Sequence, residues 1–247
     1  MHPAPLVAVA HGSRDPRSAA TVRGLAGMIR ARAVDLDVRP AFLDLSEPLL
    51  TDVLTGLHAE GHREAVVVPL LLGRAFHARV DVPELISQVA GRLPLLRVSV
   101  ADVLGRDVLL ESAAHDRLAE VGAQPDPELG VVLTGVGSAH APANAVLAEI
   151  ADRWHAQGRF AAVSHAFATC GPEVDSAIAR LRARGAGRFA VAPWFLAPGL
   201  LLDRVERLAK RAAPDVVVAE PLGAHPLVAD LVLRRYTEAV TAQLRVA

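Results

Sequence analysis

Several residue types are scarce in this chain, and each shortage narrows what it can be. There is one cysteine, Cys170, in 247 residues. A single thiol allows no intrachain disulfide and no cysteine-based zinc or iron–sulfur site, and it fits a reducing compartment. Lysine is almost missing, Lys210 being the only one, and the formal net charge is −1. That leaves no broad basic field to hold nucleic acid or an anionic membrane surface. Long apolar runs are lacking too. The longest nearly uncharged stretch, Phe189 to Leu202, is broken by Pro193 and Pro198 and falls short of a membrane span. The apolar start, Pro3 to Ala10, is too short for a signal peptide and has no basic lead. A soluble, cytoplasmic protein is expected. No GxGxxG or Walker A sequence follows any predicted strand, which disfavours a nucleotide-binding domain.

What is present suffices for a real core: 52% of residues are hydrophobic and 21% charged. The chain also repeats itself. Gly12-Ser13 and Ala41-Phe42 recur 125 positions later, as Gly137-Ser138 and Ala166-Phe167. Further on the offset is 124, with Gly61 meeting Gly185 and Pro69 meeting Pro193. At the ends Ala101–Gly105 meets Ala219–Gly223 at offset 118. The drift places small deletions in loops. Two similar domains follow, residues 1–123 and 124–247, joined by a linker over Gly122–Gly130 with its two prolines.

Each half reads as alternating strands and helices, an α/β fold with a parallel sheet of about four strands flanked by helices. Strands are predicted near Leu6–Ala10, Val38–Leu43, Ala65–Leu71 and Leu96–Ala101. In the second half they are predicted near Val131–Thr134, Phe160–Phe167, Phe189–Phe195 and Asp215–Ala219. Leu50, Val53, Leu54 and Leu57 have the spacing of a buried helix face, and Val174, Ala177, Ile178 and Leu181 repeat it. Pro16, Pro48, Pro142 and Pro172 sit near helix starts; Gly61 and Gly185 mark helix ends.

In open α/β sheets ligands bind beyond the carboxyl ends of the strands. In the first half strand one ends at His11, strand two runs into Asp44, and the loop after strand three carries His77. Two imidazoles and a carboxylate at one sheet edge suit a first-row divalent metal, and imidazole also exchanges protons near neutral pH. The second half is an internal control. Its counterparts are Val136, Thr169 and Leu201, while its framework glycines and prolines persist. Blander readings stand beside these: His11 as a histidine bonded to backbone, Asp44 as a helix cap, Gly12-Ser13 as an anion-binding or purely structural turn. Of the other histidines, His58, His62 and His155 are read as solvated, and His115 and His225 as structural. His140 and His165 lie near second-half strands. Cys170 is read as a small buried hydrophobe.

The segments LVAVAHGSRDPRSAA, PAFLDLSEP and VVVPLLLGRAFHARVDVPEL resemble the class II tetrapyrrole chelatases of the sirohydrochlorin type, over nearly the whole chain. The resemblance implies two chelatase-like, flavodoxin-like domains and ATP-independent insertion of a divalent metal into sirohydrochlorin. It implies His11 and His77 as the catalytic pair and His11, Asp44 and His77 as metal ligands. Many members have glutamate at the position of Asp44, which leaves Glu47 as a rival. The substrate's carboxylates call for arginines, for which Arg14, Arg74 and Arg79 are the candidates. An apolar wall for the macrocycle is expected from Leu71, Leu72 and Phe76, with Trp194, Phe195 and Leu200 from the second half. The metal is a substrate, and no organic cofactor is implied. The residues do not choose among Fe2+, Co2+ and Ni2+; the lack of a histidine-rich tail favours iron. The alternatives are a sirohydrochlorin cobaltochelatase and a non-enzymatic metal or tetrapyrrole carrier.

Overall fold

Strand β1, Leu6–Ala10, is buried along its whole length, as a strand covered on both faces of a sheet must be. The computed structural model that shows this describes residues 3–73, 85, 86, 89 and 91–244. Helix α1 follows at Pro16–Arg32, then β2 (Val38–Phe42), α2 (Leu50–Ala59), β3 (Glu64–Pro69) and β4 (Arg97–Val100). These four strands form a parallel sheet in the order β2-β1-β3-β4. Helix α3, Val108–Glu120, leads into the second half. There the elements are β5 (Asp126–Gly135), α4 (Ala141–Ala156), β6 (Phe160–Phe167), α5 (Val174–Ala183), β7 (Arg188–Pro193), α6 (Leu200–Ala212), β8 (Val217–Val218) and α7 (Pro226–Leu244). The second sheet has the same parallel topology, β6-β5-β7-β8.

The matched helices α2 and α5 bury the residues their periodicity names. Leu50, Val53, Leu54 and Leu57 face one core with Val7, Val9 and Val67. Val174, Ala177, Ile178 and Leu181 face the other with Val132 and Val191. At about 1.5–3 kcal/mol per buried large aliphatic side chain, such a face outweighs the weak propensity of a ten-residue helix. Both helices stop in the same way. The N–H groups of Gly61 and His62 bond the carbonyls of His58 and Leu57; those of Gly185 and Ala186 bond Arg182 and Leu181.

One expectation changes. The Gly122–Gly130 linker is strand from Asp126 onward. Leu129 pairs with Arg188, Gly187 donates to the Glu128 carbonyl, and Arg188 binds the Asp126 carboxylate at 2.8 Å. Cross-strand bonds thus recruit a segment whose prolines and glycines promise a loop, at the cost of a register shift between Asp126 and Gly130. By packing, the chain divides into two compact units. One comprises Met1–Leu109 with Ala224–Ala247, the other Leu110–Gly223. Helix α7, which closes the second repeat in sequence, belongs to the first unit and packs against α1, β3 and β4. Arg235 there donates to the carbonyls of Val103 and Leu104, and Tyr236 to that of Ala4. No described helix is long and apolar enough to cross a membrane.

Candidate functional site

The loops after β1 and β2 meet at the carboxyl edge of the first sheet. Backbone bonds continue the β1–β2 pairing past the strand ends. Leu43 N–H donates to the Ala10 carbonyl and Asp44 N–H to the His11 carbonyl, each at 3.0 Å. His11 and Asp44 are therefore neighbours across the strand pair, and both are exposed. Gly12 makes this approach possible. Its φ is +100°, and a Cβ there would lie 1.7 Å from the Asp44 carbonyl oxygen, so no other residue fits. Ser13 and Ser46 then lock the loops: Ser46 Oγ accepts from Ser13 N–H (3.1 Å) and donates to the Ser13 carbonyl (2.9 Å).

The blander readings can be weighed on this geometry. Helix α1 is capped by Asp15, whose carboxylate accepts from Arg17 N–H, while Ser13 N–H is committed to Ser46. The Gly12-Ser13 turn is accordingly a structural crossing, not an open anion site. The Arg17 guanidinium holds the Asp15 carboxyl below its ordinary range. Asp44 caps no helix, since α2 starts after Leu49 with no side-chain cap. Its Oδ1 accepts from Leu45 N–H at 2.7 Å. Glu47, the rival carboxylate, lies three residues further along, with its carbonyl held by Arg23 at 2.8 Å.

Arg14 is exposed in the loop of His11. Leu71 and Leu72 are half-buried after β3. Arg74, Phe76, His77 and Arg79 lie outside the described residues. Trp194 and Phe195 differ from expectation: each is only 7% exposed, and Phe195 packs in the core of its unit with Leu202 and Val205 of α6. Leu200, 76% exposed, is open at the start of α6, and Leu201 and Val136 are exposed on the same sheet edge.

The second unit repeats the crossing with Val136 and Thr169 in place of His11 and Asp44. Ala168 N–H donates to the Gly135 carbonyl and Thr169 N–H to that of Val136, at 2.9 and 3.0 Å. The pairs His11/Val136 and Asp44/Thr169 are thus equivalent by hydrogen bonding as well as by alignment. Gly137 keeps a φ of +90°. The Ser46 latch is divided there between Asn144, which accepts from Ser138 N–H, and Cys170, whose Sγ donates to the Ser138 carbonyl at 3.8 Å. Cys170 is half-buried and does the work of a hydroxyl, which amends its reading as a buried hydrophobe. Reading the sequence missed Ser46 and Leu45; the change of offset between Phe167 and Gly185 was the available signal.

Among the described residues one group of three could gather metal ligands, Asp37, Glu60 and His62. It lies at the amino end of β2, the opposite edge. The Arg39 guanidinium already fills it, bonding Asp37 at 2.7 Å and Glu60 at 2.5 Å, and its own pKa is raised as a result. This is an ion-pair network. Two further histidines have structural partners: His225 Nδ1 accepts from Leu227 N–H at the start of α7, and His115 stacks on Trp154.

Comparison with known proteins identifies the family of the chain. Residues 5–121 and 130–239 each match the family model described as CbiX. A sirohydrochlorin ferrochelatase of Bacillus subtilis is 29% identical over 93% of this chain and 89% of its own length. A sirohydrochlorin cobaltochelatase of Priestia megaterium is 24% identical over 96% and 80%. The solved structure of SirB from Bacillus subtilis with Fe3+ superposes with a TM-score of 0.81 at 28% identity, covering 97% of this chain and 96% of that one.

Proposed function

The chain belongs to the CbiX family, and on that premise we propose that it is a sirohydrochlorin chelatase, inserting a divalent metal, Fe2+ by preference, into sirohydrochlorin without ATP. The observation that carries the reading is the asymmetry of two otherwise matching crossings. The same backbone bonds present His11 and Asp44 in one unit and Val136 and Thr169 in the other. A purely structural pair would be needed in both.

Insertion exchanges M2+ for two pyrrole N–H protons, so the site must hold a metal and accept protons. Asp44 supplies a hard anionic oxygen and His11 an imidazole nitrogen, a donor set for first-row divalent ions. A neutral imidazole also takes up a proton near pH 7. His77, outside the described residues, is the proposed second histidine. Arg14, and beyond the described residues Arg74 and Arg79, meet the substrate's carboxylates as bidentate donors. No organic cofactor is required, and a cytoplasmic setting belongs to the same reading. The cobaltochelatase relative makes Co2+ the rival metal.

The test is to incubate the full chain with sirohydrochlorin and Fe2+, Co2+ or Ni2+ separately and follow the macrocycle's absorbance against a no-enzyme control. Many turnovers, fastest with Fe2+, are expected. Stoichiometric uptake without turnover would make the protein a carrier, and a Co2+ optimum would make it a cobaltochelatase.

A further inference from the structure

The two crossings differ in length by one residue, and the difference adjoins Asp44. Phe42 N–H donates to the carbonyl of Pro48, six positions on; Phe167 N–H donates to that of Pro172, five positions on. Inside this span, hydrogen bonds equate Asp44 with Thr169 and Ser46 with Cys170. Leu45 is the residue without a counterpart. It is also the one described non-glycine residue with a positive φ, 59°. Ser46 N–H donates across it to the Asp44 carbonyl at 2.8 Å. Residues 44–46 therefore form a γ-turn with positive φ at its centre, the rare and strained form. Leucine gains no burial in exchange, for it is 47% exposed. The second unit closes the same crossing with no such turn. A strained insertion found only in the copy that carries the ligands, and directly after one of them, is the pattern of strain kept for function.

We infer that Leu45 and Ser46 are positioning residues for Asp44. The inserted turn presents its own N–H to Asp44 Oδ1 and leaves Oδ2 for the metal, and the reciprocal Ser13–Ser46 bonds hold the turn against the His11 loop. The inference rests on Asp44 being a metal ligand.

Co2+ titration calorimetry on the full chain tests it, with Asp44→Asn, deletion of Leu45, Ser46→Ala, Ser46→Thr and the doubles with Asp44→Asn. Deleting Leu45 or removing the Ser46 hydroxyl is expected to weaken Co2+ binding by about tenfold or more, the usual effect of losing a group that orients a ligand. Ser46→Thr should restore it. In the Asp44→Asn background neither change should add to the loss, because both act through that carboxylate; a merely structural role would add. Thermal unfolding of the deletion should stay close to wild type, as the second unit folds with the shorter loop. Should the deletion fail to fold, the Ser46→Ala and Asp44→Asn cycle decides alone. Wild-type Co2+ affinity in Ser46→Ala, or additive losses, overturns the turn's role while leaving Asp44 a ligand. Unchanged affinity in Asp44→Asn overturns both.

Discussion

Replacing His11 by alanine should lower metal insertion by about 10²-fold, the usual effect of removing a general base. The residue is exposed at a strand end, so the thermal midpoint should hardly move. Initial rates with sirohydrochlorin, within twofold of wild type, would remove its assigned role. Gly12 and Gly137 give a sharper contrast. Alanine at either position meets a positive φ and a close neighbour: the Asp44 carbonyl at 1.7 Å in one case, Cys170 Sγ at 2.8 Å and Phe167 Cβ at 2.9 Å in the other. Gly137→Ala should destabilise the protein by on the order of 2 kcal/mol, from left-handed strain plus displaced side chains, and Gly12→Ala by more, because its neighbour is backbone. Only Gly12→Ala should also weaken Co2+ binding, because only that crossing holds the proposed ligands. Denaturant titration and calorimetry on both variants separate the two effects, and equal loss of metal binding would refute the assignment.

At the scale of elements, the attachment of α3 within its unit is sensitive to pH. Glu111 on that helix accepts from Trp154 Nε1 at 2.9 Å and pairs with Arg153. One turn further, His115 stacks on Trp154 with ring centroids 3.9 Å apart and lies near Phe160. Burial, then repulsion from Arg159, pushes the His115 imidazole below its ordinary pKa, while Glu111 and Asp116 pull weakly the other way. Burial also depresses His165 on β6, beside Arg180. A depressed imidazole is neutral in the folded state at pH values where the unfolded chain has already bound a proton. Stability from these groups is therefore present above about pH 6.5 and is lost as pH falls below it. Denaturation midpoints should drop between pH 7 and pH 5. His115→Phe, which keeps a ring on Trp154, should flatten part of that drop; an unchanged pH slope would show that the stack does not control it.

For the whole molecule, the division into units predicts how the chain can be cut. A fragment ending at residue 123 contains the first repeat and its proposed ligands but lacks α7, which carries the fully buried Val228, Ala229, Leu231 and Val232. At about 1.5–3 kcal/mol for each of the three larger side chains, their loss approaches the 5–15 kcal/mol by which a domain is stable at all. The fragment should be largely unfolded or aggregated by circular dichroism and gel filtration. Restoring residues 224–244 through a flexible linker should recover a cooperative transition. A fragment 1–123 as stable as the full chain would show that α7 is dispensable to its unit.

Local pattern alone determined much of this protein. Short apolar runs and helical spacing located every predicted strand end within two residues except the start of β5, and named all four buried positions of both α2 and α5. The repeat, compared with itself, singled out His11 and Asp44, and the AHGSRDP and FLDLSEP segments pointed to the family. Those signals are readable because burial imposes a period on neighbouring residues. The tertiary structure decided what depends on partners distant in sequence. Strand pairing with β6 and β7 turned Asp126–Gly130 from linker into strand, and packing against α6 withdrew Phe195 from the surface. Nothing in the local sequence of α7 says that it packs against α1, β3 and β4. The offset change recorded a missing residue somewhere between Phe167 and Gly185. Only the hydrogen bonds on either side of Leu45 fixed its place, because a loop's register is set by the backbone groups it must satisfy and not by the side chains it displays.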